Sequence, residues 1–227
     1  MFTRFALIEV ASIFAGGAIV AGTCFAAGAP VGGGLALLVA GSLLAFYRDP
    51  PRACPSGDNI LVAPADGRIV RVERVWRESD SDEPSWRIVI FLSVADVHVN
   101  RSPCAGRVEQ IRYEPGKFLN ALSDAATRQN ERNTLTIRPR FPLPGPLHVR
   151  QIAGFLARRI VCAARPGDDL TLGQRFGMIK LGSQTELRGP EHPNWRLHAR
   201  VGDVVRGGVT ILASWHENPP LEFRRSK

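Results

Sequence analysis

Three short stretches of this sequence hold residue types able to do chemistry. In the first, an apolar run through Phe176, Met178, Ile179 and Leu181 meets Gly182-Ser183. A serine hydroxyl is a poor nucleophile until a base takes its proton and donors receive the charge that develops on the carbonyl. Held against the preceding carbonyl, Oγ attacks its own backbone. Glycine on the acyl side has no Cβ in the way and tolerates the dihedrals of a reactive turn. The ester so formed can undergo β-elimination, which breaks the chain and leaves a new amino terminus that hydrolyses to a pyruvoyl group. Taken singly, Gly-Ser is only a turn. The second stretch, DVHVNRSP (96–103), follows the apolar run IVIFLSV. Strand alternation would place Asp96 and His98 on one face, where a carboxylate can orient an imidazole that moves protons near neutral pH. A surface Asp-His pair at a strand end has the same spelling. The third, PADG (64–67), puts Asp66 in a tight turn, where aspartates commonly bond their own backbone. NERN (130–133) adds Asn130, Glu131, Arg132 and Asn133, a polar cluster that reads as a headgroup contact or as a helix exit.

Short β-type runs must position these residues. NILVAPA, GRIVRVERV, WRIVIFLSV, GRVEQIRY, NTLTIRP, LHVRQIAG, RRIVCAA, FGMIKLG and VTILASW are each bounded by Gly, Pro, Asn or Asp. That pattern predicts a β-dominated (α+β) domain. Residues 118–132 have the spacing of a short helix, and ESDSDEPS (78–85) and PRFPLPGP (139–146) read as loops. Two internal echoes stand out. PADGRIVRV (64–72) and PCAGRVEQI (103–111) share Pro-x-x-Gly-Arg before an apolar alternation. ARPGDDLTLG (164–173) and ARVGDVVRGG (199–208) share Ala-Arg-x-Gly-Asp with a glycine five places later. Repeated strand-turn units of this kind build compact, interlocked β-sandwiches of barrel-sandwich type. Biotinyl and lipoyl carriers have similar Gly-Asp turns, so the echoes speak to fold more than to function.

The front of the chain is different. No charged side chain occurs from Val10 to Tyr47, and GAPVGGG (28–34) interrupts the stretch with turn chemistry. Two spans, near 8–27 and 31–47, would form a transmembrane hairpin; a cleaved signal peptide is the competing reading. Arg4 on one flank and Arg48 and Arg52 on the other favour both ends on the cytoplasmic side of the inner membrane. The formal charge of +8 falls on the part beyond the hairpin, since Arg4 and Glu9 cancel. Such a basic domain at a bilayer is drawn to anionic headgroups. No recognition motif or stacking series points to nucleic acid. Four scattered cysteines (24, 54, 104, 162), without a C-x-x-C pair, read as reduced thiols and not as a metal site or a disulfide frame.

Taken together and in order, FYRDPPR (46–52), PADGRIV (64–70), FLSVADVHVNRSPCAG (91–106), NERN (130–133), QIAGFLARRIVC (151–162) and GQRFGMIKLGSQTEL (173–187) closely resemble the short, archaeal-type form of phosphatidylserine decarboxylase. The resemblance covers roughly residues 1–215. It implies a membrane-anchoring hairpin at 1–47 and a pyruvoyl-dependent decarboxylase domain at 48–227. It also implies self-cleavage between Gly182 and Ser183 into a β chain (1–182) and an α chain (183–227), associated as a heterodimer because strands on both sides of the cut share one sheet. Ser183 would become the covalent pyruvoyl cofactor, which forms a Schiff base with the amine of a membrane phospholipid, phosphatidylserine. Carbon dioxide leaves into the electron sink, and phosphatidylethanolamine is released. By the same resemblance His98 handles protons with Asp96 as its neighbour, and Asp66 takes part in self-cleavage. The longer bacterial type carries D-x-H-x-x-H, whereas Arg101 stands at the second histidine here and cannot serve as a base. Either His98 covers both steps, or Asp66 acts on the serine, or Arg101 has become a phosphate or carboxylate ligand. Arg101, Asn130 and Arg132 are thus candidates for the substrate headgroup. Assembly into a homo-oligomer is left open. The competing classes are a non-catalytic, membrane-anchored biotinyl-like module, disfavoured because Lys180 lies inside an apolar strand, and a decarboxylase of a soluble amino acid, which the hairpin disfavours.

Overall fold

The computed structural model describes residues 1–75, 84–119, 129–141, 143–154, 159–180 and 183–216. Gly182, most of the acidic loop at 78–85 and the greater part of the helix expected at 118–132 lie outside them. The chain forms two compact units, Met1–Pro51 and Arg52–Lys227.

In the first unit, α1 (Leu7–Ala26) and α2 (Pro30–Phe46) form an antiparallel pair. Gly28, at φ 72°, makes the bend, and Pro30 starts α2 with its fixed φ. Small residues let the helices approach: a Cβ on Gly17 would meet Ala40, and Gly33 lies against the Phe25 ring. The two ends are stitched by hydrogen bonds from Thr3 N to the Tyr47 carbonyl (2.9 Å) and from Asp49 N to the Met1 carbonyl (2.8 Å). Large apolar side chains face outward, among them Ile8, Phe14, Ile19, Val31 and Leu38. Arg4–Ala26 is long and apolar enough to cross a membrane, and Pro30–Phe46 is a shorter apolar helix.

The second unit is built from strands. They are β1 (Ile60–Val62), β2 (Gly67–Val75), β3 (Ser85–Leu92), β4 (Val99–Arg101), β5 (Gly106–Glu114), β6 (Arg132–Pro139), β7 (Leu147–Ile152), β8 (Ile160–Cys162), β9 (Asp169–Leu170), β10 (Arg175–Ile179), β11 (Ser183–Pro190), β12 (Trp195–Leu197), β13 (Val204–Val205) and β14 (Ile211–Trp215). Eight form one curled sheet in the order β13-β2-β3-β11-β7-β6-β5-β9, flanked by three-stranded sheets β1-β14-β12 and β4-β10-β8. The unit is β-dominated, as expected from the runs between turns. Ile88, Ile90, Leu92, Leu135, Ile137, Leu147, Val149 and Leu187 supply the inner face of the large sheet and are fully buried. Burial of each such side chain stabilises the fold by about 1.5–3 kcal/mol before entropy is counted.

The two echoes prove to be one repeat. The ARVGD segment leads into edge strand β13 on β2, which PADG leads into. The ARPGD segment leads into edge strand β9 on β5, which PCAG leads into. Asp203 and Asp168 each accept from a main-chain N–H three residues back, at 2.9 and 2.8 Å from Arg200 and Arg165. Gly202 and Gly167 both take a left-handed φ, 98° and 94°. The turns also exchange bonds, Arg101 N to the Pro64 carbonyl and Val62 N to the Pro103 carbonyl, both 2.9 Å.

As expected, strands from before and after residue 182 share one sheet, β11 and β13 lying among β2, β3, β5, β6, β7 and β9. The two strands that flank residues 180–182 are nonetheless in different sheets. β10 belongs to β4-β10-β8, whereas β11 sits in the large sheet between β3 and β7. Residues 180–182 therefore connect two different sheets.

Candidate active site

Ser183 is the first residue of β11, opposite Leu92 of β3. It is completely buried, and its Oγ has no hydrogen-bond partner among the described residues. A buried hydroxyl left without a partner costs about 1–3 kcal/mol, which marks Ser183 as a candidate functional group. Ala153 and Ile179, both fully buried, form a small apolar cluster with Phe118 and Ile160 at the ends of the neighbouring strands β7, β10 and β8. Asn130 fastens this end of the sheet. Its Oδ1 accepts from Leu119 N (2.8 Å), and its Nδ2 donates to the carbonyls of Leu119 (2.9 Å) and Ala153 (2.8 Å).

His98 is also completely buried and immediately precedes β4. Its carbonyl accepts from Ile179 N (3.2 Å), so it stands beside the end of β10, the strand that leads towards Ser183. Nδ1 lies 2.9 Å from the main-chain oxygen of Asp96. A carbonyl can only accept, so Nδ1 carries the proton and Nε2 is the basic nitrogen of the neutral ring.

The expected carboxylate–imidazole pair is not what the fold builds. After Leu92 the chain leaves β3 and turns, so strand alternation does not hold at 93–98. The Asp96 carboxylate folds back on the turn and accepts from Ser93 N (2.8 Å) and Ser93 Oγ (2.6 Å). Asp96 orients His98 through its backbone instead.

Asp66 lies in the PADG turn, just before β2 and so two strands from β11, about 10 Å across the ladder. Arg52 grips both its oxygens, with Nη2 to Oδ2 at 2.7 Å, and Gly207 N donates to Oδ1 at 2.8 Å. Arg52 and Asp66 are both nearly buried, which makes this a bidentate internal ion pair. Neither Asp66 nor Asp96 is hydrogen-bonded to the Ser183 hydroxyl. Arg101 is buried as well; its Nη1 donates to the Gly173 carbonyl (3.3 Å), and its aliphatic stem lies against Gly208. Arg132 makes a bidentate pair with Glu114 at 2.8 and 2.9 Å, and those hydrogen bonds hold the Glu114 carboxyl below its ordinary range. The residues proposed for the headgroup therefore make their hydrogen bonds to protein groups.

Rival nucleophiles are quiet. Burial pushes the Cys104 thiol up to about 12, which leaves it protonated at any physiological pH. Among the described residues, no three or more His, Cys, Asp or Glu side chains gather as metal ligands.

Sequence reading missed a set of polar residues close to Ser183: Asn100, Gln151 and Thr185, all fully buried. The readable signal was a polar residue on the inward phase of an otherwise apolar strand, as with Gln151 after Leu147 and Val149.

Comparison with known proteins follows the same line. Residues 40–213 match the family model described as phosphatidylserine decarboxylase. The chain is 45% identical over 176 residues to a phosphatidylserine decarboxylase proenzyme of Gluconacetobacter diazotrophicus, covering 76% of each chain. It is 44% identical over 195 residues to the proenzyme of Xanthobacter autotrophicus (85% of this chain, 80% of the other). With that of Granulibacter bethesdensis it shares 48% over 173 residues (75% and 69%). A match over most of both chains, joined to a buried serine at the start of a central strand, places this chain in the phosphatidylserine decarboxylase family.

Proposed function

We propose that this chain is made as a precursor, cuts itself before Ser183, and then decarboxylates phosphatidylserine to phosphatidylethanolamine at a membrane. The observation that carries this reading is the Ser183 hydroxyl, wholly buried and without a partner among the described residues, at the start of a strand held on both sides. A pyruvoyl group made from Ser183 fits the residues present. It arises in place, it carries no charge to be desolvated, and no described side chain competes for its oxygen. Such a group supplies a ketone that captures the substrate amine and a carbonyl sink for the electron pair released with carbon dioxide.

The chain's own residues do the rest. His98, with Nδ1 tied to the Asp96 carbonyl, presents Nε2 to take the Ser183 hydroxyl proton and later to return a proton to the substrate α-carbon. Leu92, Ala153 and Ile179 keep water from the reacting atoms. Asp66 acts at a distance by locking Arg52 and Gly207 around the PADG turn. We assign Arg101, Asn130 and Arg132 to holding the frame around the site, with the phosphate drawn in by the wider basic surface.

After the cut the two chains stay together. β11 remains paired along its length with β3 and over five positions with β7, β13 with β2, and β14 with β1, all of them contacts between residues before and after the cut. The helix pair of residues 1–47 anchors the enzyme in the inner membrane with both ends cytoplasmic, which suits a substrate that does not leave the bilayer.

Intact-mass measurement of the purified protein tests the reading. It should show fragments of residues 1–182 and 183–227, the second with a blocked start. Ser183→Ala should remain one 24.8 kDa chain that releases no carbon dioxide. An unbroken wild-type chain turning over lipid at full rate would defeat the proposal. The protein should also sediment with membranes until detergent is added, and release by salt alone would remove the anchor from the picture.

A further inference from the structure

On the inner face of the large sheet, neighbouring strands place Asn133, Gln151 and Thr185 in one cross-strand row. Asn133 is opposite Gln151, and Gln151 is opposite Thr185. One row further along, the same strands contribute Leu135, Val149 and Leu187, all fully buried. In the other direction the next inward residue of β11 is Ser183. The apolar core thus turns polar one step before the reactive serine, and buried amides are costly unless every group is matched.

They are matched, and in one direction. Asn133 Nδ2 donates to Gln151 Oε1 (3.0 Å), Gln151 Nε2 to Asn100 Oδ1 (2.8 Å), and Asn100 Nδ2 to Thr185 Oγ1 (3.0 Å). Gln151 Nε2 also lies 3.3 Å from the Val161 carbonyl, which can only accept. That single carbonyl sets the polarity of the whole chain. The amide nitrogen of Gln151 must face it, so Asn100 must offer its oxygen to Gln151 and its nitrogen to Thr185. Thr185 Oγ1 must then accept, and its own proton is turned away from Asn100. Gly177 of β10 makes room, since a Cβ there would strike the Val161 carbonyl and come within 3.0 Å of Gln151 Nε2.

Asn100 belongs to β4 and Thr185 to β11, so the relay bridges the two sheets that residues 180–182 join covalently. It connects the strand that His98 leads into with the strand that Ser183 begins. We infer that Asn133, Gln151, Asn100 and Thr185 form a polarised relay of positioning residues that holds Ser183 in register with His98, both before the chain is cut and after the covalent link is gone. The inference rests on Ser183 being the cleaved residue.

Thr185→Val, which keeps shape and removes the hydroxyl, tests it in the full-length chain synthesised with membranes present. Cutting should slow about tenfold, the effect of one lost hydrogen bond felt at the transition state. Once cutting is complete, kcat should fall by a similar factor with KM unchanged. Thr185→Ser should restore both to within about twofold. Asn100→Asp, isosteric but unable as a carboxylate to donate to Thr185, should slow cutting likewise at pH 7. The unfolding midpoint of each, measured on a Ser183→Ala background, separates positioning from stability. Parental cutting rates in both Thr185→Val and Asn100→Asp overturn the relay. So does a slow Thr185→Val whose midpoint has collapsed and which Thr185→Ser does not rescue. Cleavage of Ser183→Ala itself would instead overturn the underlying assignment of Ser183.

Discussion

The turns PADG (64–67) and PCAG (103–106) are built alike and loaded differently. Each opens a long strand with a register shift at the same place, between Ile69 and Arg71 in β2 and between Val108 and Gln110 in β5. Each strand carries a two-residue edge strand from an Ala-Arg-x-Gly-Asp segment. In the first turn Asp66 is clamped by Arg52 and Gly207; in the second the corresponding residue is Ala105. The bend therefore needs no carboxylate. Asp66 serves to hold Arg52, where the larger unit begins, and a glycine turn from far along the chain, a link that the other half of the repeat lacks.

Making the halves alike should break that difference. Asp66→Ala copies PCAG but leaves the Arg52 guanidinium buried without its counter-charge, at a cost of about 3 kcal/mol. Chemical denaturation on a Ser183→Ala background measures it, and adding Arg52→Met should recover most of the loss. A neutral Asp66→Ala would mean that the clamp contributes nothing and the halves are equivalent.

The edge turns should sharpen the likeness. Asp168→Ala and Asp203→Ala each remove one side-chain cap and should destabilise equally, by about 0.5–1 kcal/mol. Unequal values by the same denaturation assay would show that the repeat is one of shape alone.

The smallest effect concerns Glu114, at the end of β5 in the half without the clamp. Arg132 lowers its pKa in the folded state, so the pair stabilises above the ordinary carboxylate range and loses that contribution as pH falls through the depressed value. Glu114→Gln should cost about 0.5 kcal/mol near pH 7, and variant and parent should converge once the pH has fallen below that depressed value. A constant gap down to pH 2 would assign the effect to packing instead of charge.

Much of this was legible from neighbours along the chain. The charge-free front, the apolar runs between turn residues and both Gly-Asp echoes follow from local rules, and each appears as an element. The central strand was not legible. From Ser183 onward β11 reads Ser-Gln-Thr-Glu-Leu-Arg, polar at nearly every position, yet Gln184, Glu186 and Arg188 are buried on its outer face. Glu186 lies between Arg150 (3.5 Å) and Arg87 (3.9 Å), on β7 and β3, and Arg188 donates to Ser85 of β3 (2.7 Å). A strand whose outer-face side chains meet polar or charged groups on both neighbours carries no apolar signature. The Asp96–His98 reading failed for the opposite reason, because alternation was extended past the end of β3 into a turn.

By itself the sequence determined what depends on covalent neighbours: a chain with an apolar hairpin at its front, a β-rich body, and a Gly-Ser step at 182–183 that follows an apolar run. Only the tertiary structure decided which groups lie near Ser183 in the sheet. Asn133, Gln151, Asn100 and Thr185 come from four strands, and the two bonds through Asn100 exist only once two sheets have met. Local chemistry names the serine, and long-range pairing sets where it points.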